Sequence, residues 1–120
     1  MKVIMTLNRI YVSDLDQAIE FYEKLFNEQC ISRFQYSEAS LELARVGNAL
    51  IISGSEEVLK PFRSTQATFL VDDIQAYKDF LLENGGEIIR DLRDVPTGVN
   101  MTVKHADGTI VEYVEHRRRG

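Results

Sequence analysis

Two changes of hydrophobic period divide the chain, and the first lies in the stretch RIYVSDLDQAIEFY at residues 9–22. Ile10 and Val12 alternate with polar neighbours, which is typical of a strand with one buried face. The spacing then becomes helical, so the pattern predicts a strand followed directly by a helix whose apolar side packs on a sheet. The residues predicted on that apolar side are Ala18, Phe21, Tyr22 and Leu25, flanked by Ile19 and Phe26.

A capping signature is expected where the period changes. Ser13 is suited to accept a backbone N–H at the helix N-terminus, and Asp16 follows three residues later. This spacing matches a capping box, and an acid is favoured near the positive end of a helix. The helix is therefore predicted to begin after Ser13.

The same pattern returns in the stretch FLVDDIQAYKDFLLENGGE. Val12, Asp14, Leu15 and Phe21 correspond to Val71, Asp73, Ile74 and Phe80 at a constant offset of 59 residues. The second helix is predicted to end at Gly85, because glycine readily adopts the left-handed conformation that closes a helix. The chain thus contains two related modules.

Three strand-like segments follow each predicted helix. They are CISRFQY, SLELARV and ALIIS in the first half, and GEIIRDL, GVNMTVKH and TIVEYVE in the second. Ser37–Glu38, Gly47–Asn48 and Ala106–Gly108 supply turn signals. The prediction is an α+β fold of two tandem βαβββ modules, about 1–54 and 65–116, within a single domain 1–120. Pro61 argues against one continuous helix in the linker 55–64.

Composition restricts the function classes. The chain has 120 residues, 44% of them apolar, and a net charge of −5, which disfavours nucleic acid and anionic membranes as partners. No apolar run is long enough for a membrane span. Cys30 is the single cysteine, so a reducing, cytoplasmic location is expected. The basic run at Arg117, Arg118 and Arg119 is expected to be a solvated tail.

The repeated V-x-D-[LI] junction, together with IYVSDLDQAIEFY, NGGE and DGTIVEY, resembles the vicinal oxygen chelate superfamily. That superfamily includes glyoxalase I, bleomycin resistance proteins, fosfomycin resistance proteins and extradiol dioxygenases. The resemblance covers nearly the whole chain. It implies that each module forms a curved half-barrel, that the half-barrels enclose a cleft in one mixed sheet, and that helices cover the outside.

The resemblance and the strand alternation together predict the cleft residues. Side chains that alternate with the helix-facing ones are expected to line the cleft. The residues predicted to bind a ligand are Arg9, Tyr11, Gln66, Thr68, Asn100, Thr102 and Glu112. A carboxylate at Glu112 needs a partner on an inward face, and Arg9 and Lys104 are candidates for a salt bridge with it.

Metal-dependent members of the family carry ligands at four cleft positions. By resemblance these positions fall on Leu7, Gln66, Glu112 and a residue around Ile51, with Ser53 as the alternative. Leu7 and Ile51 have no donor atom, so half of the expected octahedral-type site is missing. No metal ion is predicted; if one is bound, Gln66 and Glu112 are the expected ligands. His105, beside a turn, is expected to be an exposed hairpin residue without a chemical role.

Three functions remain open at this point. The leading hypothesis is metal-independent binding or sequestration of a small, partly aromatic or apolar molecule, similar to bleomycin resistance proteins, without a cofactor. The second is a metal-dependent lyase or dioxygenase-type enzyme that uses a divalent ion. The third is an interaction protein whose basic C-terminus or sheet edges meet a partner. The resemblance also implies a homodimer.

Overall fold

The computed structural model of the chain describes residues 1–36 and 39–117. The turn predicted at Ser37–Glu38, and Arg118 and Arg119 of the basic run, lie outside these ranges. The strands are β1 (Val3–Val12), β2 (Cys30–Tyr36), β3 (Leu41–Val46), β4 (Ala49–Ser53), β5 (Thr65–Val71), β6 (Glu87–Val95), β7 (Gly98–Lys104) and β8 (Ile110–His116). The helices are α1 (Leu15–Phe26), α2 (Glu56–Leu59) and α3 (Ile74–Glu83).

Within the described ranges, eight strands form one mixed sheet in the order β2-β3-β4-β1-β5-β8-β7-β6. β1 pairs parallel with β4, and β5 pairs parallel with β8. The β2–β3, β3–β4, β6–β7 and β7–β8 pairs are antiparallel. The predicted α+β fold class and the βαβββ order of both modules are confirmed. Of the described helices, none combines the length and the apolar character needed to cross a bilayer.

The chain divides into two compact units that share β1. Residues 8–64 make up what we call the N-terminal unit. Residues 1–7 and the chain from Thr65 onwards make up the C-terminal unit, which therefore contains the first half of β1. The segment predicted as a linker belongs to the N-terminal unit. Its short helix α2 starts after the N-cap Ser55 and ends before Pro61, in agreement with the prediction.

The core of the C-terminal unit lies between α3 and one face of its strands. Ile74, Tyr77 and Leu81 of α3 are buried there with residues of three strands, β5, β7 and β8. The strand residues of this core are Val71, Val99, Met101, Val103, Val111 and Tyr113. Tyr77 stacks on Tyr113 with ring centroids 5.8 Å apart. Since alternate strand residues face α3, the residues between them face the opposite side of the sheet, as predicted.

The N-terminal unit buries α1 in the same way but with fewer apolar residues than expected. Leu15 and Ala18 are buried against strands β3 and β4, and Ile19 and Tyr22 pack at the edge of this core. The prediction that Phe21 and the residues after it pack inward is wrong in part. Phe21, Leu25 and Phe26 are exposed by 57%, 60% and 41%. The apolar stripe of α1 is wider than the face that the sheet covers.

Aspartates of the repeated junction cap the two long helices. Asp14 accepts a hydrogen bond from the N–H of Gln17, and Asp73 accepts one from the N–H of Ala76. Ser13, predicted as the N-cap of α1, lies one residue too early. Asp16, predicted to complete the capping box, forms a salt bridge with Arg33 instead. The aspartate at the repeated position thus satisfies one of the free N–H groups in the first turn of each helix.

Glu115 joins the last strand to the start of α3. Its Oε1 accepts a hydrogen bond from the N–H of Ile74 at 3.0 Å, and its side chain is 15% exposed. A hydrogen bond and salt bridge from Arg117, followed by the bond from Ile74, lowers the pKa of the Glu115 carboxyl below its ordinary value of 4.5. The carboxylate thus stabilises the folded chain.

We predict that Glu115→Ala lowers the free energy of unfolding at pH 7 by about 1–3 kcal/mol, because a charge-assisted bond to a helix N-terminus is lost. Since the folded-state pKa is depressed, this contribution is complete above the pKa of the unfolded chain and disappears as the pH falls through the folded-state pKa. Urea denaturation at pH 7 and in steps below pH 4.5 measures both effects. Glu87→Ala, on an exposed position of β6, is the matched control. A difference from wild type that persists at the lowest pH would contradict the assignment.

Candidate functional site

A row of polar side chains crosses the C-terminal unit on the sheet face opposite α3. Thr68 on β5 pairs with Glu112 on β8, which pairs with Thr102 on β7. Thr102 in turn pairs with Arg90 on β6. Neighbouring strands lie about 4.8 Å apart, so Thr68 and Arg90 mark the ends of a row spanning roughly 14 Å. We call this set of four residues the polar row. It contains three of the predicted ligand-binding residues.

Glu112 lies inside this row and is held by a hydroxyl group. Thr68, which is 3% exposed, donates from Oγ1 to Oε1 of Glu112 at 3.1 Å. None of the salt bridges within the described part of this unit involves Glu112, and Lys104 is exposed. The predicted pairing of Glu112 with Lys104 is therefore not found. The carboxylate keeps acceptor capacity for a further donor.

Arg90 is a member of the row that the sequence pattern does not reveal. Ile88 and Leu92 pack at the edge of the α3 core, so simple alternation would place Arg90 on the same face. The β6–β7 register shifts between Ile88 and Arg90, which brings Arg90 opposite Thr102. The guanidinium donates from Nη2 to Oδ1 of Asn100 at 2.6 Å. Asn100, predicted as a ligand-binding residue, is 8% exposed and so joins the polar row from the side.

Gln66 occupies an irregular position in β5. Thr65 pairs with Ile110 and Ala67 pairs with Val111, so Gln66 is the extra residue of a β-bulge. Its side chain is exposed, and its Oε1 accepts a hydrogen bond from the N–H of Ile110 at 3.4 Å. The prediction that Gln66 faces the cleft relied on plain strand alternation. A bulge changes the direction of side chains relative to that alternation. Its role as a ligand-binding residue stays a prediction.

Arg9 and Tyr11 lie on β1 in the N-terminal unit, on the sheet face opposite α1. Arg9 pairs with Leu50 and Tyr11 pairs with Ile52 on β4. The Tyr11 hydroxyl donates to the carbonyl oxygen of Phe62 in the turn after α2. Arg63 follows in that turn, with its guanidinium carbon 5.8 Å from the centre of the Tyr11 ring. Arg63 is a candidate site residue that the sequence pattern did not single out.

The structure corrects one of the four family metal positions. Ile51, expected to face the cleft, is fully buried in the core against α1, and Ser53 shares its face. In the repeat, Arg9 corresponds to Thr68, and their β4 and β8 partners are Leu50 and Glu112. The fourth position is therefore Leu50. A one-residue miscount reverses the face of a strand, which explains the error.

The corrected set of positions still does not suit a metal site. Leu7 and Leu50 offer no donor atom, and Gln66 and Glu112 already accept hydrogen bonds from protein groups. Across residues 1–36 and 39–117, no three His, Cys, Asp or Glu side chains are grouped so that one ion could bind them. These residues do not fit the four-ligand octahedral-type site that the family resemblance implies.

His105 departs from its predicted role as an exposed hairpin residue. It is half-buried, and its Nε2 lies 2.7 Å from the hydroxyl of Tyr113, on the side of the sheet that packs on α3. Burial, together with the charge of Tyr77, raises the pKa of Tyr113 to about 12. His105 therefore closes the end of the C-terminal core rather than standing free in solvent.

Two shallow pockets lie within the units. One, of about 410 Å³, is in the N-terminal unit and is lined by Ser13, Gln35, Ser40, Leu41, Glu42, Ser53, Gly54 and Ser55. The other, of about 350 Å³, is in the C-terminal unit and is lined by Phe80, Leu81, Asn84, Gly86, His105, Ala106, Asp107 and Tyr113. Neither includes any of the seven predicted ligand-binding residues.

Comparison with known proteins identifies the family. The model of the Glyoxalase/Bleomycin resistance protein/Dioxygenase superfamily matches residues 3–113. The chain belongs to this superfamily. The resemblance inferred from the repeated junctions is thereby confirmed, and the fold agrees with it. No curated protein matches the chain.

Solved structures of the superfamily fold are similar to the chain over its whole length. An uncharacterized protein from Methanosarcina mazei is 51% identical, with a TM-score of 0.87 and coverage of 100% of this chain and 98% of that one. Methylmalonyl-CoA epimerase from Mycobacterium tuberculosis is 19% identical, with a TM-score of 0.77 and coverage of 97% and 90%. The Streptomyces coelicolor methylmalonyl-CoA epimerase variant in complex with 2-nitronate-propionyl-CoA is 16% identical, with a TM-score of 0.75 and coverage of 98% and 100%. At such low identity, the epimerases share the fold alone with this chain.

The contact between Thr68 and Glu112 predicts a specific pattern of stabilities. Thr68→Val should lower the free energy of unfolding by about 1–3 kcal/mol, because a partly buried carboxylate loses its donor. Glu112→Gln should cost less than about 1 kcal/mol, since the amide oxygen can accept the same bond and no salt bridge is broken. In a double-mutant cycle measured by urea denaturation, Thr68→Val should cost less in the Glu112→Ala background, in which the acceptor is absent. Equal costs of Thr68→Val in the wild-type and Glu112→Ala backgrounds would show that the two side chains do not interact.

Proposed function

We propose that the protein binds a small, partly aromatic or apolar molecule in its fold without using a resident metal ion. The observation that carries this proposal is the loss of donor atoms at the family metal positions Leu7 and Leu50. A divalent ion with octahedral preference needs oxygen or nitrogen ligands from several sides. Two leucines at such positions remove half of the protein ligands, so that binding must rest on hydrogen bonds, charge and apolar contact.

Each unit carries groups that could contact such a ligand. The polar row of the C-terminal unit presents hydroxyl, carboxylate and guanidinium groups in fixed register. In the N-terminal unit, the residues on the face opposite α1 are mainly apolar. The apolar residues of this face include Leu41 and Leu43 on β3 and Leu50 and Ile52 on β4, and Arg9, Tyr11 and Arg45 lie beside them. A few placed polar groups beside apolar walls are the usual composition of a small-molecule site.

A metal-dependent enzyme is the competing function, and the similarity in fold to methylmalonyl-CoA epimerases gives it a concrete substrate to test. Glu112 would then act as a ligand with Gln66, and an ion would supply Lewis-acid chemistry. The hydrogen bonds that Glu112 and Gln66 accept within the C-terminal unit favour the binding function instead. Epimerisation of methylmalonyl-CoA by the purified protein would reverse this preference.

The cellular setting and the assembly form part of the same proposal. The single, unpaired Cys30 agrees with a reducing compartment, and we infer a cytoplasmic location. From the family resemblance we also infer a homodimer, which analytical ultracentrifugation would test. Neither inference is needed for the metal-independent binding to hold.

We predict that the protein, after incubation with zinc, nickel, manganese or iron(II) and exhaustive desalting, retains far less than one equivalent of metal by plasma mass spectrometry. Its thermal midpoint should be unchanged when each ion is added, because an ion that binds only the folded chain would raise it. Glu112→Gln should leave both measurements unaltered, and Glu87→Gln on exposed β6 is the control. Near-stoichiometric metal that is lost in Glu112→Gln and kept in Glu87→Gln would establish the metal-dependent alternative.

A further inference from the structure

Two arginines converge on the ring of Tyr11 in the N-terminal unit. The guanidinium carbon of Arg9 lies 5.5 Å from the ring centre, and that of Arg63 lies 5.8 Å from it. Each distance is within the range of a cation–π contact. Arg9 and Tyr11 are two residues apart on β1, so both project from the face opposite α1. Arg63 reaches the same ring from the turn after α2.

The turn that carries Arg63 is fixed to β1 rather than free. The Tyr11 hydroxyl donates to the carbonyl oxygen of Phe62. The N–H groups of Phe62 and Arg63 both donate to the carbonyl oxygen of Leu59, and Leu59 is 1% exposed. The backbone at Arg63 is therefore held in place, so that its side chain starts from a defined position beside Tyr11.

The charges of this pair are poorly compensated. None of the salt bridges found among the described residues involves Arg9, and its Nε atom is buried without a hydrogen-bond partner. More than nine-tenths of buried polar groups in proteins have a partner, so an orphaned N–H calls for an explanation. Arg63 meets Glu56 at 3.8 Å, but the Glu56 carboxylate is 96% exposed, and such surface pairs contribute little.

An anion would resolve both features at once. A guanidinium presents pairs of N–H groups that match the two oxygens of a carboxylate or phosphate, and its Nε–H belongs to one such pair. A cation–π contact with an aromatic ring restricts the guanidinium group before the ligand arrives, which lowers the entropy lost on binding. The chain has a net charge of −5, so these arginines form a local positive site against the overall field.

We propose that Arg9 and Arg63, oriented by Tyr11, bind the anionic group of the protein's small-molecule ligand, a carboxylate or a phosphate. This inference rests on the proposed binding function and adds the chemical class of the ligand to it. The two arginines touch the ligand, whereas Tyr11 positions them. We call Arg9, Tyr11 and Arg63 the Tyr11 cluster; the turn after α2 brings Arg63 to the other two.

Inorganic phosphate and acetate are the probes, each titrated against the full-length protein at constant ionic strength. Arginine Nε–H signals are followed by ¹H–¹⁵N NMR, and Arg9→Lys, which lacks Nε, assigns the Arg9 signal. We expect a saturable shift of that signal with phosphate or with acetate, and the tighter probe identifies the anion class. Shifts that do not saturate, or that chloride reproduces equally, would overturn the proposal.

Matched variants test the arginines themselves. Arg9→Met and Arg63→Met should each weaken binding of the tighter probe on the order of tenfold, because one charge-assisted contact is lost. Lys60→Met is the control, since it removes an exposed positive charge from the same turn without touching the cation–π contacts. It should change the affinity less than twofold. Equal weakening by Lys60→Met, or none by the arginine variants, would contradict the proposal. Should Arg9→Met fail to fold, Arg9→Lys and Arg63→Met decide the question.

The outcome is separable from that of the metal experiment. Anion binding by the Tyr11 cluster in a protein that also retains metal would sustain the present inference and overturn metal-independent binding. A protein that retains no metal and gives no saturable shift with phosphate or acetate would leave the proposed function standing and overturn the anion site.

Discussion

The packing of one amphipathic helix on one face of the strands is the interaction on which the organisation of each unit depends. A strand alternates between two faces, so the residues that meet the helix fix the direction of all the others. In the C-terminal unit, Val111 and Tyr113 are committed to α3, and Glu112 between them is thereby committed to the opposite face. No separate interaction is needed to aim Glu112. The function of the face opposite the helix is thus free to change while the core stays the same.

The two repeats share the same framework but differ in the residues on the face opposite the helix. Their capping aspartates and the starts of their long helices correspond at the same offset in the chain, and in both repeats the first strand pairs parallel with the last. At the position where one repeat has Glu112, the other has Leu50, and where one has Thr68, the other has Arg9. Burial of Leu50 stabilises the fold by itself, whereas a carboxylate at Glu112 requires a donor and finds one in Thr68. The corresponding position on β4 and β8 is therefore apolar in one repeat and polar in the other.

Much of the fold was predictable because local sequence and tertiary packing agree. The predicted strands CISRFQY and ALIIS match β2 and β4 residue for residue. The repeat in the sequence predicted the two βαβββ modules. The errors arose where a short-range rule competes with a second one. Ser13 belongs to a residue type that often caps helices, but Asp14 is the N-cap of α1. The repeat pointed to Asp14, because an aspartate occupies the same position in the second module. Phe21 and Leu25 follow helical spacing, yet the narrow sheet face leaves them exposed.

The candidate site was harder to predict than the fold because its members depend on register. Register shifts break the alternation from which facing was counted. They occur at Gln66 in β5 and, in β6, between Ile88 and Arg90 and again between Arg90 and Arg93. Arg90 entered the polar row only through such a shift, and nothing in GEIIRDL marks a bulge. Arg63 was missed for a different reason, since it reaches Tyr11 through a turn whose path depends on a side-chain hydrogen bond to Phe62. Alternation cannot report on residues outside strands.

A binding site built on arginines tolerates different conditions from a site built on a metal ion. A metal site loses its ion when acid protonates the ligands, because metal and protons compete for the same donor atoms. A guanidinium remains charged at any pH at which the protein is folded, and its directional N–H groups select planar or tetrahedral anions rather than any Lewis base. The proposed site at Tyr11 would therefore follow the ionisation of the ligand alone. In this chain the leucines at the family metal positions and the uncompensated Arg9 are the two observations on which the proposed charge-assisted binding rests.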